Sequence, residues 1–127
     1  MTGFASWGDV AGRLDETLRT AAASEGTIVL VEATSTGRYL QAVAAGQGVL
    51  HVEADGGGRF RDRLPRDQRD ALSERGWIPP RRGANTGPNF ARHDAAPDAE
   101  LVEQLLGALR DVYGAGPAEV RVRTQDG

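Results

Sequence analysis

The chain contains no cysteine and no lysine. The first absence removes disulfides, thiolate nucleophiles and Cys-ligated zinc together. The second removes the P-loop lysine, the Schiff base and any pyridoxal-type site, because each needs a primary amine. Aromatics are scarce, with three Phe, two Tyr and two Trp, so a core has to be assembled from Val, Leu and Ala. Long apolar runs are missing too. The strongest is Ile28 to Val31, and the opening "MTGFASWGDV" has neither a basic n-region nor an apolar h-region. Neither a signal peptide nor a spanning helix is expected, which predicts a cytoplasmic protein that does not meet a membrane. Fifteen basic residues, all Arg, against 18 acidic ones leave a formal net charge of -3. Nucleic-acid binding calls for clustered positive charge and is not predicted.

What is present suits one core. The 127 residues, 39% hydrophobic, predict a single domain over residues 1–127. In "SWGDVAGRLDETLRTAAASEG", Val10, Leu14, Leu18 and Ala21/Ala22 repeat at helical spacing; Ser6 and Asp9 form a capping-box-like start and Gly26 a stop. "TIVLVEA", "RYLQAVAA" and "GVLHVEA" follow as short strands separated by "STG" and "GQG", a meander. "LPRDQRDALSERG" is a short surface helix with Pro65 at its first position and Leu64, Gln68, Ala71 and Leu72 on one side. "NFAR" predicts a brief strand. "PDAELVEQLLGALRDVYG" carries the apolar stripe Leu101, Leu105, Ala108, Leu109 and Val112, and "AEVRVRT" alternates Val120 and Val122 with Arg121 and Arg123. An outward Arg row suits an edge strand. The fold class is α+β: a largely antiparallel sheet of about five strands with helices packed on one face.

Reactive chemistry finds little support. His51 and Glu53 lie two apart on one strand and point the same way, but no third or fourth metal ligand is identifiable. Asp94, beside His93, precedes a helix and favours its dipole. "GGG" at Gly56 to Gly58 opens no helix with Lys-Ser/Thr, so it reads as a turn. The serines lack a Gly-x-Ser-x-Gly elbow, and no acid is paired with a base. No catalytic residue, metal or cofactor is predicted.

The stretch "LSERGWIPPRRGANTGPNF", Leu72 to Phe90, has no helical or strand period. If Gly76 is the left-handed residue that ends the short helix, Trp77 and Leu72 occupy the two positions that touch in a Schellman motif. Pro79 and Pro80 then forbid the helix from resuming, and "RRGANTG" has the composition of an exposed loop. This leaves Arg81, Arg82, Asn89 and Phe90 without a structural reason.

The strand "LHVEA", then "RFRDRLPRDQRDALSERGWIPP" and "PNF", resembles the N-terminal module of TY-Chap domains, the type III secretion chaperone-like and YbjN-like superfamily. The resemblance rests on Glu53 in its strand, the closing Leu72, Gly76, Trp77 and Pro80, and the Asn89–Phe90 pair before a long helix, and it spans Val29 to Val122. It implies a chaperone-like α+β fold, no catalytic residues, and pairing as homodimers or binding of other proteins' segments. The expected function is therefore a non-enzymatic protein-interaction module, chaperone- or adaptor-like, with an unidentified protein partner or client. Tyr39, Trp77 and Phe90 are candidate aromatic anchors, joined by Arg81, Arg82 and Asn89, because aromatics and Arg dominate interface energetics. The alternative is a small-ligand-binding protein or enzyme with an anion site near Arg81/Arg82, sharing a pocket with His51 and Glu53.

Overall fold

The structure, a computed structural model, describes residues 3–56, 63–82, 85 and 87–126. Helix α1 (Trp7–Ala22) starts where Ser6 Oγ accepts the Asp9 amide at 3.1 Å, and it buries the expected face of Val10, Leu14, Leu18, Ala21 and Ala22. It stops at Ala22, earlier than Gly26 suggested. Gly26, at φ 91°, instead turns the chain into the sheet, its amide donating to the Ala44 carbonyl at 2.9 Å.

Strands β1 (Ile28–Ala33), β2 (Arg38–Gly46) and β3 (Val49–Ala54) form the meander, and β4 (Phe90–Ala95) and β5 (Val120–Gln125) complete the sheet. The order is β4-β3-β2-β1-β5, with every neighbouring pair antiparallel. Period-2 alternation aims Val29, Val31 and Ala33, then Leu40, Ala42 and Ala44, then Leu50, Val52 and Ala54 at one face. That face meets α1 and the buried side of α3 (Ala99–Gly107) in one continuous hydrophobic cluster. The helices therefore gather on one face of an α+β fold, and the opposite face carries Ile28, Leu30 and Val43 half-buried. At the β5 edge, Arg121 and Arg123 point outward, and Arg123 pairs with Glu32 at 2.7 Å.

Three local expectations need correction. Asp94 lies within β4 at φ 54°, beside a register irregularity, and Asp98 caps α3, its Oδ1 accepting the Leu101 amide at 3.0 Å. A carboxylate can cap only from the position just outside the first turn, which Asp98 occupies. Pro65 caps the short helix α2 (Arg66–Glu74) from outside; its φ of -54° suits that position as well as the first helical one. Helix α3 buries Val102 and Leu106 besides the predicted stripe and widens into a π-type turn over Ala108–Val112, where the Tyr113 amide donates to the Ala108 carbonyl at 2.8 Å. Wider burial follows from packing of α3 against α1 within the shared hydrophobic cluster. Gly57 and Gly58 of the glycine run lie outside the described residues.

The end of α2 has the hydrogen bonds a Schellman closure requires. The Trp77 amide donates to the Leu72 carbonyl and the Gly76 amide to the Ser73 carbonyl, both at 3.1 Å, with Gly76 at φ 93°. Leu72 is fully buried and Trp77 is 2% exposed; the Arg92 guanidinium lies 5.9 Å from the indole centroid. Trp77→Ala is expected to lower unfolding free energy by about 3 kcal/mol in urea denaturation.

Tyr113, buried at the end of α3, donates through Oη to the Asp55 carbonyl at 2.8 Å. Burial pushes its phenol well above the ordinary range. The unfolded phenol ionises near pH ~10 while the folded one keeps its proton, so above that pH the unfolded state binds fewer protons and stability falls as pH rises. Tyr113→Phe should remove that alkaline slope in urea titrations and cost about 1–3 kcal/mol at neutral pH, because the Asp55 carbonyl loses its donor.

Candidate functional site

Once Trp77 has folded back over α2, the chain runs extended. Ile78 exchanges both backbone hydrogen bonds with Ala91 of β4, at 2.9 and 3.0 Å. Between α2 and the returning segment lies a groove of about 970 Å³, lined by Gly56, Arg63, Arg69, Asp70, Ser73, Pro79, Pro80, Arg81, Arg82, Pro88 and Phe90. That volume is within the span of ligand sites, ~300–1,000 Å³. One wall is the polar side of α2, where Arg69, Asp70 and Ser73 fall within one turn. The other is the proline-rich segment. Arg81 holds φ 57°, a left-handed conformation that costs an L residue roughly 1 kcal/mol and is retained mainly where function asks for it.

Two asparagines stiffen this second wall. Asn85, 6% exposed, donates through Nδ2 to the carbonyls of Ile78 (3.0 Å), Pro79 (3.1 Å) and Asn89 (2.8 Å), while its Oδ1 accepts the Gly87 amide at 3.2 Å. Asn89, 9% exposed, accepts the Gly56 amide at 3.1 Å. Gly56 has no room for a side chain there, since a Cβ would stand 2.8 Å from the Pro88 carbonyl oxygen. Within the stretch expected to be an exposed loop, Arg81 and Arg82 are exposed whereas Asn85 is buried.

The electrostatics are one-sided. Among the described residues that line it, four guanidinium groups, Arg63, Arg69, Arg81 and Arg82, stand against one carboxylate, Asp70, which already lies 3.9 Å from Arg66 on the outside of α2. Arg69 Nε is shut from solvent with no hydrogen-bond partner among the described residues.

Arg81, Arg82 and Phe90 meet in the groove. Asn89 supports it from behind. Tyr39 lies on the open sheet face, its Oη accepting from Asn89 Nδ2 at 2.9 Å. Trp77 and Phe90 are each 2% exposed and belong to the common hydrophobic cluster. His51 and Glu53 do not line the groove. They belong to a polar chain across the open face: Asn89 Nδ2 donates to Glu53 Oε1 at 3.0 Å, His51 Nε2 reaches Glu53 Oε2 at 3.2 Å, and the His51 and His93 Nδ1 atoms stand 2.9 Å apart. A carboxylate only accepts, so His51 Nε2 carries a proton; in the neutral ring Nδ1 is left as the acceptor for His93. Among the described residues no group of three His, Cys, Asp or Glu is placed to hold a metal ion.

Sequence reasoning passed over Asn85, Arg63 and Arg69. The arginines of α2 were legible as a polar helix side, but no pattern said that another segment would face it. Asn85→Ala removes this donor from the Pro79 and Asn89 carbonyls, while the Ile78 carbonyl keeps the Ala91 amide, and should destabilise the protein by about 2 kcal/mol; an unchanged urea midpoint would show that the wall stands without it.

No helix among the described residues is long and apolar enough to cross a membrane. No curated protein and no solved structure shows significant similarity to the chain. A family model does, over residues 3–126. With this match over nearly its whole length, a five-stranded antiparallel sheet and helices on one face, the chain belongs to the TY-Chap3 family, described as T3SS (YopN, CesT) and YbjN peptide-binding chaperone 3.

Proposed function

We propose that the protein is a non-enzymatic, chaperone- or adaptor-like module that holds a segment of a partner protein in the groove between α2 and the Ile78–Phe90 segment. The observation that carries this reading is the groove itself: a cleft of about 970 Å³ in a member of a peptide-binding family, with a wall held rigid by Asn85 and Asn89. Rigidity matters because a preformed cleft spends less of its binding energy on ordering itself. Arg81 and Arg82 are exposed on its rim and could contact a partner without first leaving the core. The prolines supply apolar surface beside them. Homodimerisation, the other property the family resemblance suggests, has its best surface elsewhere, on the sheet face where Ile28, Leu30 and Val43 are half-buried.

The experiment is selection of a random peptide display library on the immobilised protein, followed by titration of the recovered peptides against wild type and the Arg81→Glu/Arg82→Glu double variant. Both side chains are exposed, so the double variant should unfold within about 0.5 kcal/mol of wild type. Peptide affinity should fall at least about tenfold, the scale of one lost charge-assisted hydrogen bond. Recovered peptides that bind both proteins equally would place the peptide site elsewhere.

A further inference from the structure

We infer that the segment held in this groove is acidic, its Asp or Glu carboxylates seated on Arg63, Arg69, Arg81 and Arg82. The inference rests on the peptide-binding reading and specifies the partner's chemistry. It starts from a charge imbalance: in a chain of net charge -3, the described residues around the groove include four arginines and one carboxylate. None of the four arginines has an ion pair among the described residues, whereas Arg19, Arg75, Arg110 and Arg123 are all matched to carboxylates. Arg69 adds an Nε donor that is closed to water and unpaired, a cost that an incoming carboxylate would relieve.

The opposite wall decides how a peptide can be held. Pro79, Pro80 and Pro88 have no amide hydrogens, so those positions cannot donate to a β-ladder and recognition by strand addition is disfavoured. Side chains must do the recognising. On the α2 side those are guanidinium forks, whose planar geometry matches a carboxylate with two parallel hydrogen bonds. Pro79, Pro80 and Pro88 line the groove with them, which suits a chain that carries apolar residues beside its acids. A polyphosphate backbone would find the same forks but gain nothing from the proline wall.

The test uses fluorescence polarisation with three labelled probes: a short peptide of alternating Glu and Leu, its Gln/Leu counterpart, and a single-stranded oligonucleotide of equal charge. The Glu peptide is expected to bind at least about tenfold tighter than the Gln peptide, with affinity falling as salt rises. Arg82→Glu and, independently, Arg69→Met should each erase that preference, and circular dichroism confirms that each variant is folded. Equal binding of the Glu and Gln peptides would overturn the acidic specificity while leaving the peptide-binding reading intact. Tighter binding of the oligonucleotide would overturn it in favour of phosphate. If neither these peptides nor any library peptide binds, the peptide-binding reading itself fails.

Discussion

One hydrogen bond organises the centre of this protein: the Trp77 amide donating to the Leu72 carbonyl at 3.1 Å, made possible by Gly76 in the left-handed region. It ends α2, drives the indole into the core between that helix and the sheet, and sends the chain out at the angle from which Ile78 can pair with Ala91. With a Cβ at position 76 the turn would be strained and the new atom would press on the Arg92 guanidinium at 3.2 Å. The groove exists because this closure places the proline segment across from α2 instead of along it.

A second layer of constraint is polar. Asn85 and Asn89 replace the backbone ladder that the prolines cannot provide, and together they satisfy carbonyls and an amide that burial would otherwise leave unpaired. Asn89 also faces outward, bonding Tyr39 and Glu53 on the open sheet face. The groove wall and the polar chain of His51, Glu53 and His93 are therefore joined through one side chain, although they lie on different surfaces. The chain belongs to a family described as peptide-binding chaperones, and the described residues give it a shaped, charged cleft.

Much of this was legible from residue order. Leu72, Gly76 and Trp77 announced the helix closure because a Schellman end is a local event, governed by φ preferences and contacts within six residues. Periodicity gave α1, the meander and the Val120/Val122 alternation for the same reason. The errors have a common source. Gly26 and Asp94 were assigned to helix ends by residue type alone, but caps depend on the exact register between side chain and backbone, and Asp98 won that position at α3. Asn85 was read as loop filler, since nothing in "RRGANTG" distinguishes a solvated asparagine from one whose amide meets three carbonyls.

Residue composition and spacing by themselves determined the fold class, the absence of amine and thiol chemistry, the inward face of each strand and the way α2 stops, because these depend on side-chain identity and short-range geometry. Only the tertiary structure decided that Arg63 and Arg69 share a groove with Arg81 and Arg82, that Trp77 and Phe90 are buried, and that His51 and Glu53 belong to another surface. Those are relations between segments distant along the chain, and they arise from how the sheet and helices share one core, which no local pattern encodes.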